Sequence, residues 1–339
     1  MPEPRTTESI PITCESHYKS DNNLPCTHYL KGHLDEAGFC NRKESFRCLE
    51  AIKHYLPNLT QSAAKTFMQC PEKYLLSYIY GIRPHDHTLP DPIKAGSTWD
   101  GFKDARYSNS PFNILPYINK YQIKPQLQTK IEALIQVYDD LEIDADMETP
   151  QTQKHIAWDC GDICVTGYLD AAFDDHIAED KCSGSPDFHT RLESIHMQVG
   201  TYLNYNPNWK YCDMKVVRLP GLRTGTGKNS DESMEAYKTR LIGDITKRPS
   251  YYFIGFDVKN RTYGKRFYRG EFDFKAIQQT YINVQAIMVE MIAGNRWFKN
   301  ELSCYVPAPC WFLPYKRSGV LSEELFKRMS VEEAAGGMR

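Results

Sequence analysis

Apolar residues recur at helical spacing in the segment LTQSAAKTFMQCPEKYLLSYIYGI, residues 59–82. Ser62 is a suitable helix cap, and Pro71 is expected to interrupt the helix or to begin a second one. The segment therefore predicts a pair of core helices that ends at Gly81. Its apolar side comprises Phe67, Met68, Tyr74, Leu75, Tyr78 and Ile79.

Two further helices are predicted in the region that follows. Residues 83–95 are rich in proline and charge, which favours a loop. A helix is then predicted to begin at Gly96, and residues 126–141 predict an amphipathic helix. Residues 142–154 read as an acidic connection. The apolar side of the amphipathic helix comprises Ile131, Leu134, Ile135, Tyr138 and Leu141.

From His155 the pattern changes to the period-two alternation of β-strands, with helical spacing between some of them. Residues 319–339 predict a polar helix and a frayed tail. The elements predicted between these points are a hairpin over 155–173, a strand over 176–182, a helix over 188–205, a strand over 210–220, two strands over 250–272 and a helix over 273–294. The last of these helices is expected to bury Phe274, Ile277, Tyr281, Val284, Ile287, Met288 and Met291.

The composition is that of a soluble globular protein. Of the 339 residues, 41% are apolar and 25% are charged, and no apolar run reaches the roughly eighteen residues of a membrane span. The N-terminus lacks the apolar core of a signal peptide, so we expect a cytoplasmic protein with no membrane partner. The formal net charge of -2 gives no argument for nucleic acid, so any attraction to phosphate must be local.

Cysteine and histidine are concentrated in residues 1–58, which show little periodicity. In a reducing compartment, metal binding explains such a cluster better than disulfides do. A loop-rich segment with little core needs a stabilising ligand such as zinc; buried free thiols are the alternative. The spacings match no finger with paired CxxC motifs. The strongest ligand candidates are Cys26, Cys40 and Cys48, with His33, His28 and Cys14 competing for the fourth place.

A candidate chemical site lies in a strand–turn–strand–helix segment. Asp170 is near the end of one strand, and the next carries Glu179 and Lys181, which project to the same side because strand side chains alternate. Carboxylates suit Mg²⁺ or Mn²⁺, and a lysine can orient a nucleophile or stabilise developing charge. Gln198 and Tyr202 are four residues apart, so they share a helix face from which they could position a phosphate. The alternative interpretation is a set of solvated surface charges.

Basic residues cluster in two segments downstream of this site. GLRTGTGKNSDES resembles a phosphate-binding loop, but Asn229 follows Lys228 where serine or threonine is required, so a flexible basic loop is predicted. In residues 250–272, aromatic and basic side chains alternate, which suits contact with a nucleic-acid backbone and stacking on bases. A half-buried hairpin with a solvated edge is the alternative. The proposed DNA-binding residues are Lys265, Arg266 and Arg269, with Lys259 and Arg261 close by in the sequence.

Taken in order, these segments resemble the PD-(D/E)XK nuclease superfamily. The branch that they resemble is that of the RecB-like and AddB-like exonucleases, with CRISPR-associated and phage relatives. The resemblance extends over residues 60–315. The four segments that carry it are QSAAKTFMQCPEKYLLSYIYGI for the opening helix, GYLDAAF for the G-x-hydrophobic-D strand, IAEDKCSG for the (D/E)-x-K strand and MQVGTY for the Q-x-x-x-Y helix.

The resemblance implies a mixed α/β fold with a restriction-endonuclease-like core, in which helices flank a central mixed β-sheet. Residues 59–318 would form this nuclease domain. Residues 1–58 would be a Cys/His-rich N-terminal extension, and residues 319–339 would be a polar C-terminal helix and tail.

The resemblance also implies roles for individual residues. Lys181 would be catalytic, and Gln198 and Tyr202 match positions that help to bind and orient DNA. Asp100 stands at about the place where this branch often has a histidine ligand, and an aspartate can also bind a hard cation. The other implied metal ligands are Asp170, Glu179 and the backbone carbonyl of Asp180.

Members of this branch often hold an iron–sulfur cluster, with one cysteine in the opening helix and three near the C-terminus. Cys70, Cys304 and Cys310 match three of these positions, but no cysteine stands near Tyr315 or Lys316. Because such clusters usually require four thiolates, a [4Fe–4S] cluster would need a fourth ligand from elsewhere. One of the N-terminal cysteines could donate it, or these cysteines could form a separate zinc site.

The leading hypothesis is a Mg²⁺- or Mn²⁺-dependent DNA nuclease, and more narrowly an exonuclease acting on DNA ends or single strands. The phage relatives also suggest a phage-encoded enzyme of recombination, repair or replication. The alternative is a non-catalytic DNA-binding or assembly protein on a degenerate nuclease fold, which Asp100 and the incomplete cysteine set suggest. A nucleotide-binding or redox protein is a weaker alternative, because the P-loop pattern fails and no CxxC motif is present.

Overall fold

The computed structural model describes the chain from Leu59 onward, with gaps. The described residues are 59–79, 82–161, 163–225, 231–294, 297–298, 300, 310–313 and 324–328. The predicted Cys/His-rich segment over residues 1–58 lies outside them, as do Gly81, Lys228 and Cys304.

The described chain contains both helices and strands. Its helices are α1 Gln61–Gln69, α2 Pro71–Tyr74, α3 Asp91–Tyr107, α4 Leu115–Tyr121, α5 Pro125–Asp140, α6 Leu192–Tyr205, α7 Met234–Lys247, α8 Pro249–Tyr252 and α9 Phe274–Gly294. Its strands are β1 Leu59–Thr60, β2 Ile82–Pro84, β3 Gln151–Cys160, β4 Ile163–Ala172, β5 His176–Ser183, β6 Tyr211–Arg218, β7 Lys265–Tyr268 and β8 Phe326–Arg328. A π-helical turn spans Leu75–Ile79, and 3₁₀ turns span Asp86–Thr88, Pro186–Thr190 and Arg269–Glu271.

The chain divides into two compact units, and β4 contributes residues to both. The described residues of unit 1 come from the ranges Met1–His85, Ala157–Gly167 and Lys275–Arg339. Those of unit 2 come from Asp86–Ile156 and Tyr168–Phe274. Every described residue of the predicted carboxylate–lysine site belongs to unit 2.

Unit 2 contains a sheet that mixes parallel and antiparallel pairs. β4 pairs antiparallel with β5, and β6 pairs antiparallel with β7. β5 and β6 pair parallel along their whole length, from His176 opposite Tyr211 to Ser183 opposite Arg218. A parallel pair requires a crossover connection, which α6 provides here. The predicted α/β fold with a central mixed sheet is therefore confirmed.

Helices α3, α5 and α7 pack together beside this sheet in the main core of unit 2. Apolar residues recur on one side of α5 and of α7, and their burial removes that side from water. Helix α3 buries Trp99 and Phe102 together with Lys103. At full burial, each large aliphatic or aromatic side chain contributes about 1.5–3 kcal/mol to folding. The buried members of this core include Trp99 and Phe102 of α3, Leu134, Val137 and Tyr138 of α5, and Tyr237, Leu241 and Ile245 of α7.

Unit 1 is described by itself around two short pairs of strands. β1 pairs parallel with the first part of β4, and β2 pairs antiparallel with β8. The rings of Phe312 and Phe326 stack with centroids 5.3 Å apart beside the buried Leu76. The described part of residues 319–339 thus includes a strand, so the predicted polar helix is wrong over Phe326–Arg328.

The opening helix begins and packs differently from the prediction. Thr60, not Ser62, caps α1, and its hydroxyl accepts a hydrogen bond of 3.1 Å from the Ala63 N–H. Phe67 is buried as predicted, whereas Met68 is 48% exposed, so its assignment to the apolar side was wrong. A break between α1 and α2 before Pro71 is confirmed.

Two further boundaries correct the predictions. α3 begins at Asp91 rather than at Gly96, because Pro92 lies in the first helical turn, where a missing N–H costs nothing. β3 begins at Gln151, inside the predicted acidic connection. The predicted amphipathic helix is confirmed as α5, with Ile131, Leu134 and Tyr138 buried.

Helix α9 matches its predicted range closely. Ile277, Tyr281 and Met288 are buried as expected, but Ile287 is 49% exposed and was wrongly assigned to the core. The Tyr281 ring packs edge-on against Trp158 within unit 1, with centroids 6.3 Å apart. Neither α9 nor any other described helix has the length and apolar content needed to cross a membrane.

The two strands predicted over residues 250–272 are wrong in their first half. Pro249 begins the short helix α8, and an irregular loop follows until β7 begins at Lys265. The loop is held by backbone hydrogen bonds: Ile254 N–H donates to Val216 C=O at 3.0 Å, and Gly264 N–H donates to Ile254 C=O at 2.8 Å. Gly255 has φ +76°, and a Cβ there would overlap the Gly264 carbonyl oxygen, so this crossing requires glycine.

We predict that Gly255→Ala destabilises the protein by about 1–3 kcal/mol, because the substitution forces a strained φ and a clash with backbone atoms. Gly243→Ala is the matched control, because Gly243 is helical and a Cβ there meets nothing within 4 Å. The control should stabilise by about 0.5–1 kcal/mol. Urea denaturation followed by circular dichroism measures both; equal effects of the two substitutions would contradict the role assigned to Gly255.

Candidate active site

The predicted site residues of β4 and β5 lie next to the paired residues of these two antiparallel strands. Ala171 and Ala172 pair with Ala178 and Ile177. Asp170 precedes these pairs on β4, and its Oδ2 accepts a hydrogen bond of 2.9 Å from the Asp180 N–H on β5. A side-chain carboxylate therefore links the two strands at this point and is fixed against β5.

Three oxygen atoms surround the Lys181 ammonium. Its Nζ lies 2.9 Å from the Asp180 carbonyl oxygen, 3.2 Å from Glu179 Oε2 and 3.5 Å from Asp170 Oδ2. The Lys181 and Asp170 side chains are partly exposed, whereas Glu179 is 1% exposed. The three oxygens that the resemblance implied as metal ligands thus already gather around one cation.

Helix α6 adds both of its predicted residues to this cluster. Gln198 Nε2 donates a hydrogen bond of 2.8 Å to Glu179 Oε2, which fixes the rotamer of that carboxylate. Tyr202 lies one helical turn further on and is buried. Burial and then the negative charge of Glu179 raise the pKa of Tyr202 well above its usual value, so its phenol stays protonated as a hydrogen-bond donor.

Asp100 on α3 is exposed to solvent, and it interacts electrostatically with Asp170 and Lys181. Desolvation on its protein side and then the negative charge of Asp170 raise the pKa of Asp100 well above its usual value. The positive charge of Lys181 acts in the opposite direction. Asp100 therefore belongs to the same charge cluster as the strand carboxylates.

Carboxylates outnumber cationic side chains in this cluster. Burial and then the charge of Asp170 raise the pKa of Glu179 to about 8. Glu179 Oε1 is also buried and accepts no hydrogen bond from any described residue. Three carboxylates and one lysine, with a buried oxygen left over, form an oxygen-rich set suited to a hard divalent cation such as Mg²⁺ or Mn²⁺.

The carboxylates do not themselves form a closed metal cage. Within the described ranges, no group of three or more His, Cys, Asp or Glu side chains is arranged to hold a metal ion. Asp170 and Glu179 instead share the ammonium of Lys181. A metal ion here would thus rely on the Asp180 carbonyl oxygen, on Asp100 or on water for further ligands.

Only two of the predicted structural metal ligands, Cys70 and Cys310, lie within the described residues. Cys70 is buried at the end of α1, where its N–H donates to the Thr66 carbonyl at 2.9 Å. Cys310 is half-buried and also belongs to unit 1. The remaining candidates lie outside the described residues: Cys26, His33, Cys40, Cys48 and Cys304.

The predicted DNA-binding residues already have protein partners. Lys265 is exposed on β7, and its Nζ donates to the Thr190 carbonyl at 2.8 Å. The Arg266 guanidinium forms two hydrogen bonds to Asp213, of 2.8 and 2.9 Å. Arg269 donates to carbonyl groups at the end of α6, which favours a structural role. Lys265 and Arg266 therefore remain the better candidates for contact with DNA.

A second charge cluster, not found in the sequence, lies around the side chain of Asp180. Asp180 Oδ2 accepts a hydrogen bond of 2.5 Å from the Tyr107 hydroxyl, and Oδ1 lies 3.7 Å from Lys103 Nζ. Lys103 Nζ also contacts Asp144 Oδ2 at 3.0 Å, and Asp144 Oδ1 contacts Lys215 Nζ at 2.7 Å. We call these four residues, Lys103, Asp144, Asp180 and Lys215, the buried quartet; all four side chains are at most 5% exposed.

The buried quartet is electrically balanced and rich in hydrogen bonds. The Tyr138 hydroxyl donates to Asp144 at 2.9 Å and accepts from Lys103 at 2.8 Å. Burial alone would raise the pKa of Asp144, but the charges of Lys103 and Lys215 outweigh it and hold that pKa below its usual range. A lysine in a helix gives no sequence signal of such pairing, because its partners are distant along the chain.

Known proteins provide no second line of evidence for this site. The chain matches no family of known proteins and no curated protein. The assignment of the site therefore depends on its geometry and on the ordered motifs.

We predict that the stability of the metal-free protein falls as pH rises from about 4.5 to about 8. The pKa of Glu179 is raised in the folded state, so in this window the folded state holds a proton that the unfolded state has lost. One such proton changes the free energy of unfolding by at most ~1.4 kcal/mol per pH unit.

Thermal unfolding in EDTA across this pH range measures the effect. Glu179→Gln should flatten the decline, whereas Glu132→Gln, a half-exposed glutamate paired with Lys238 outside the site, should leave it unchanged. A parallel decline in wild type and Glu179→Gln would contradict the assignment of the raised pKa to Glu179.

Proposed function

We propose that this protein is a metal-dependent DNA nuclease that hydrolyses phosphodiester bonds with the cluster around Lys181. One observation supports the proposal above all. Oxygens of Asp170, Glu179 and the Asp180 carbonyl lie 2.9–3.5 Å from the ammonium nitrogen of Lys181. The same three ligands follow from the ordered resemblance to PD-(D/E)XK nucleases. A surface with merely solvated charges would not bury Glu179 with an oxygen left over.

A bound Mg²⁺ or Mn²⁺ would lower the pKa of a coordinated water and polarise a phosphate oxygen. Asp170, Glu179 and the Asp180 carbonyl would hold it, with Asp100 as a further oxygen ligand on the solvent side. Lys181 is close enough to these ligands to orient a nucleophile and to stabilise the negative charge that develops on the phosphate.

The α6 residues have supporting roles in this proposal. Gln198 holds Glu179 Oε2, so the carboxylate keeps one orientation as substrate enters. Tyr202 remains a neutral donor at neutral pH and could hydrogen-bond a phosphate oxygen. Both residues lie on the same face of one helix, which aligns their contributions along the strand β5.

The proposed substrate is DNA, and the proposed mode is exonucleolytic. This finer assignment rests on the resemblance to the RecB-like and AddB-like branch. A non-catalytic DNA-binding protein on the same fold is the alternative, and the cleavage experiment separates the two.

We predict that the wild-type protein cuts end-labelled DNA in Mg²⁺ or Mn²⁺, and that Lys181→Ala and Glu179→Gln each reduce the rate at least about 100-fold, the scale on which a charge-stabilising group acts. Lys210→Ala is the control, because this exposed lysine is also paired with an aspartate, Asp175, yet lies outside the site. Single- and double-stranded substrates labelled at either end report substrate preference and polarity.

Two results would decide against the enzyme. Cutting that survives in both site variants would show a contaminant or another site. DNA binding by the wild type without metal-dependent cutting would support the non-catalytic alternative.

We predict that Lys265→Ala combined with Arg266→Ala weakens DNA binding and reduces its dependence on salt. If both side chains contact phosphates of a single strand, the slope of log K against log salt should fall by about 1.4. Fluorescence anisotropy in EDTA measures this without cleavage. Arg240→Ala is the matched control, because Arg240 is likewise paired with a carboxylate, that of Glu232, and lies over a tyrosine ring. An unchanged slope in the double variant would exclude β7 from the DNA contact.

A further inference from the structure

Asp180 connects two clusters that lie on opposite faces of β5. Its backbone belongs to the candidate active site, because the N–H donates to Asp170 Oδ2 and the carbonyl accepts from Lys181 Nζ, both at 2.9 Å. Its side chain points to the other face, since strand side chains alternate, and is 1% exposed. The residue between Glu179 and Lys181 is therefore held from behind.

The partners of the Asp180 carboxylate come from helix α3 and from the loop before β7, both in unit 2. Tyr107 of α3 donates to Oδ2 at 2.5 Å. Tyr263, just before β7, donates to Oδ1 at 3.3 Å, and Lys103 Nζ of α3 lies 3.7 Å from the same oxygen. A carboxylate held by two hydroxyls and one ammonium has little freedom to rotate, so the backbone attached to it is also restrained.

The other members of the buried quartet stabilise the position of Lys103 beside Asp180. Asp144 forms an ion pair with Lys103 at 3.0 Å and another with Lys215 of β6 at 2.7 Å. Two lysines and two aspartates balance, so the cluster needs no mobile ion from solvent. Its position behind β5 is therefore set by packed protein groups alone.

We propose that the Asp180 side chain is a positioning residue of the candidate active site: held by Tyr107, Tyr263 and Lys103, it fixes the peptide groups that orient Asp170 and present the Asp180 carbonyl to a divalent cation. This inference rests on the proposed function, in that it assigns a metal-binding role to the site. It adds a structural support behind the site that the ordered motifs do not contain.

Two tyrosines of this region provide a matched pair of variants. Tyr107→Phe removes the hydroxyl that binds Asp180, whereas Tyr138→Phe removes a hydroxyl that binds Asp144 and Lys103. Both rings are buried to a similar degree, both lie beside Lys103, and each substitution deletes one oxygen. A purely structural role of the network predicts similar effects from the two variants.

The experiment measures Mn²⁺ binding to the full chain by isothermal titration calorimetry, together with thermal unfolding and, where DNA is cut, kcat and KM. We expect Tyr107→Phe to weaken Mn²⁺ binding about tenfold, the lower end of the effect of groups that orient metal ligands. Tyr138→Phe should leave the Kd for Mn²⁺ within about twofold of wild type, although both variants lower the unfolding temperature. The loss in Tyr107→Phe should appear in kcat rather than in the KM for DNA.

A charge-balanced variant guards against misfolding as an explanation. Asp180→Asn alone leaves two buried lysines with one aspartate, whereas Asp180→Asn combined with Lys103→Met restores a one-to-one balance. The double variant should regain thermal stability relative to Asp180→Asn but keep the weakened Mn²⁺ binding. If its Mn²⁺ affinity returns to the wild-type value, the side chain of Asp180 does not position the site.

Failure of this inference can be distinguished from failure of the proposed function. Wild-type-like Mn²⁺ binding in Tyr107→Phe, or equal losses in Tyr107→Phe and Tyr138→Phe, would overturn the positioning role while leaving the nuclease proposal standing. A wild-type protein that binds no Mn²⁺ and cuts no DNA would overturn both. Mn²⁺ binding without cutting, with the expected difference between the tyrosine variants, would support the positioning role and contradict the nuclease.

Discussion

Three consecutive ionisable residues, Glu179, Asp180 and Lys181, stand in the middle of a strand that the sheet and helix α3 cover. Glu179 and Asp180 are each 1% exposed. Removing a charge from water is costly unless other charges or hydrogen bonds replace the water. The elements of unit 2 around β5 offset that cost, because they supply ion-pair and hydrogen-bond partners to these charged side chains.

The two faces of β5 differ in how the buried charges are compensated. Behind the strand, two lysines and two aspartates balance, and tyrosine hydroxyls fill the remaining hydrogen-bonding positions. On the other face, Asp170 and Glu179 outnumber Lys181, and Glu179 Oε1 is buried without a hydrogen-bond partner among the described residues. A balanced cluster has what it needs for stability alone. The unbalanced one retains a demand for positive charge, which is the physical reason to regard this face as the chemical one.

Local patterns predicted the elements whose signals are local. The alternation from His155 gave the β3–β4 pair, and the helical spacing gave α5 and α9. The loop before β7 was mistaken for a strand because its aromatic residues fit strand composition, while Gly255 and Gly264 act through a backbone approach that composition does not reveal. Among the site residues, period two correctly placed Glu179 and Lys181 on one face. The same rule turned Asp180 away but could not show what it meets.

What Asp180 meets depends on pairs far apart in sequence. Tyr107 lies 73 positions before it and Tyr263 lies 83 after it, and Lys103 on α3 has no local charge pattern that marks it as buried. Hydrophobic periodicity identifies which face of a helix is covered, but it treats a lysine as an exposed residue. The balance of charge in a core can be counted only when the fold has brought the charges together.

The excess of carboxylates would also couple binding of the proposed cation to the loss of protons. Burial and the negative charge of Asp170 raise the pKa of Glu179, so without a cation this carboxylate is stabilised by a bound proton. A divalent cation would stabilise the carboxylates in place of protons, and it would require them deprotonated as ligands. In the proposed function, protons and the cation would therefore compete for the same oxygens, and rising pH would favour the cation. Since the buried quartet carries no net charge, it does not offset this excess, and it can hold the Asp180 backbone in place whichever partner the carboxylates have.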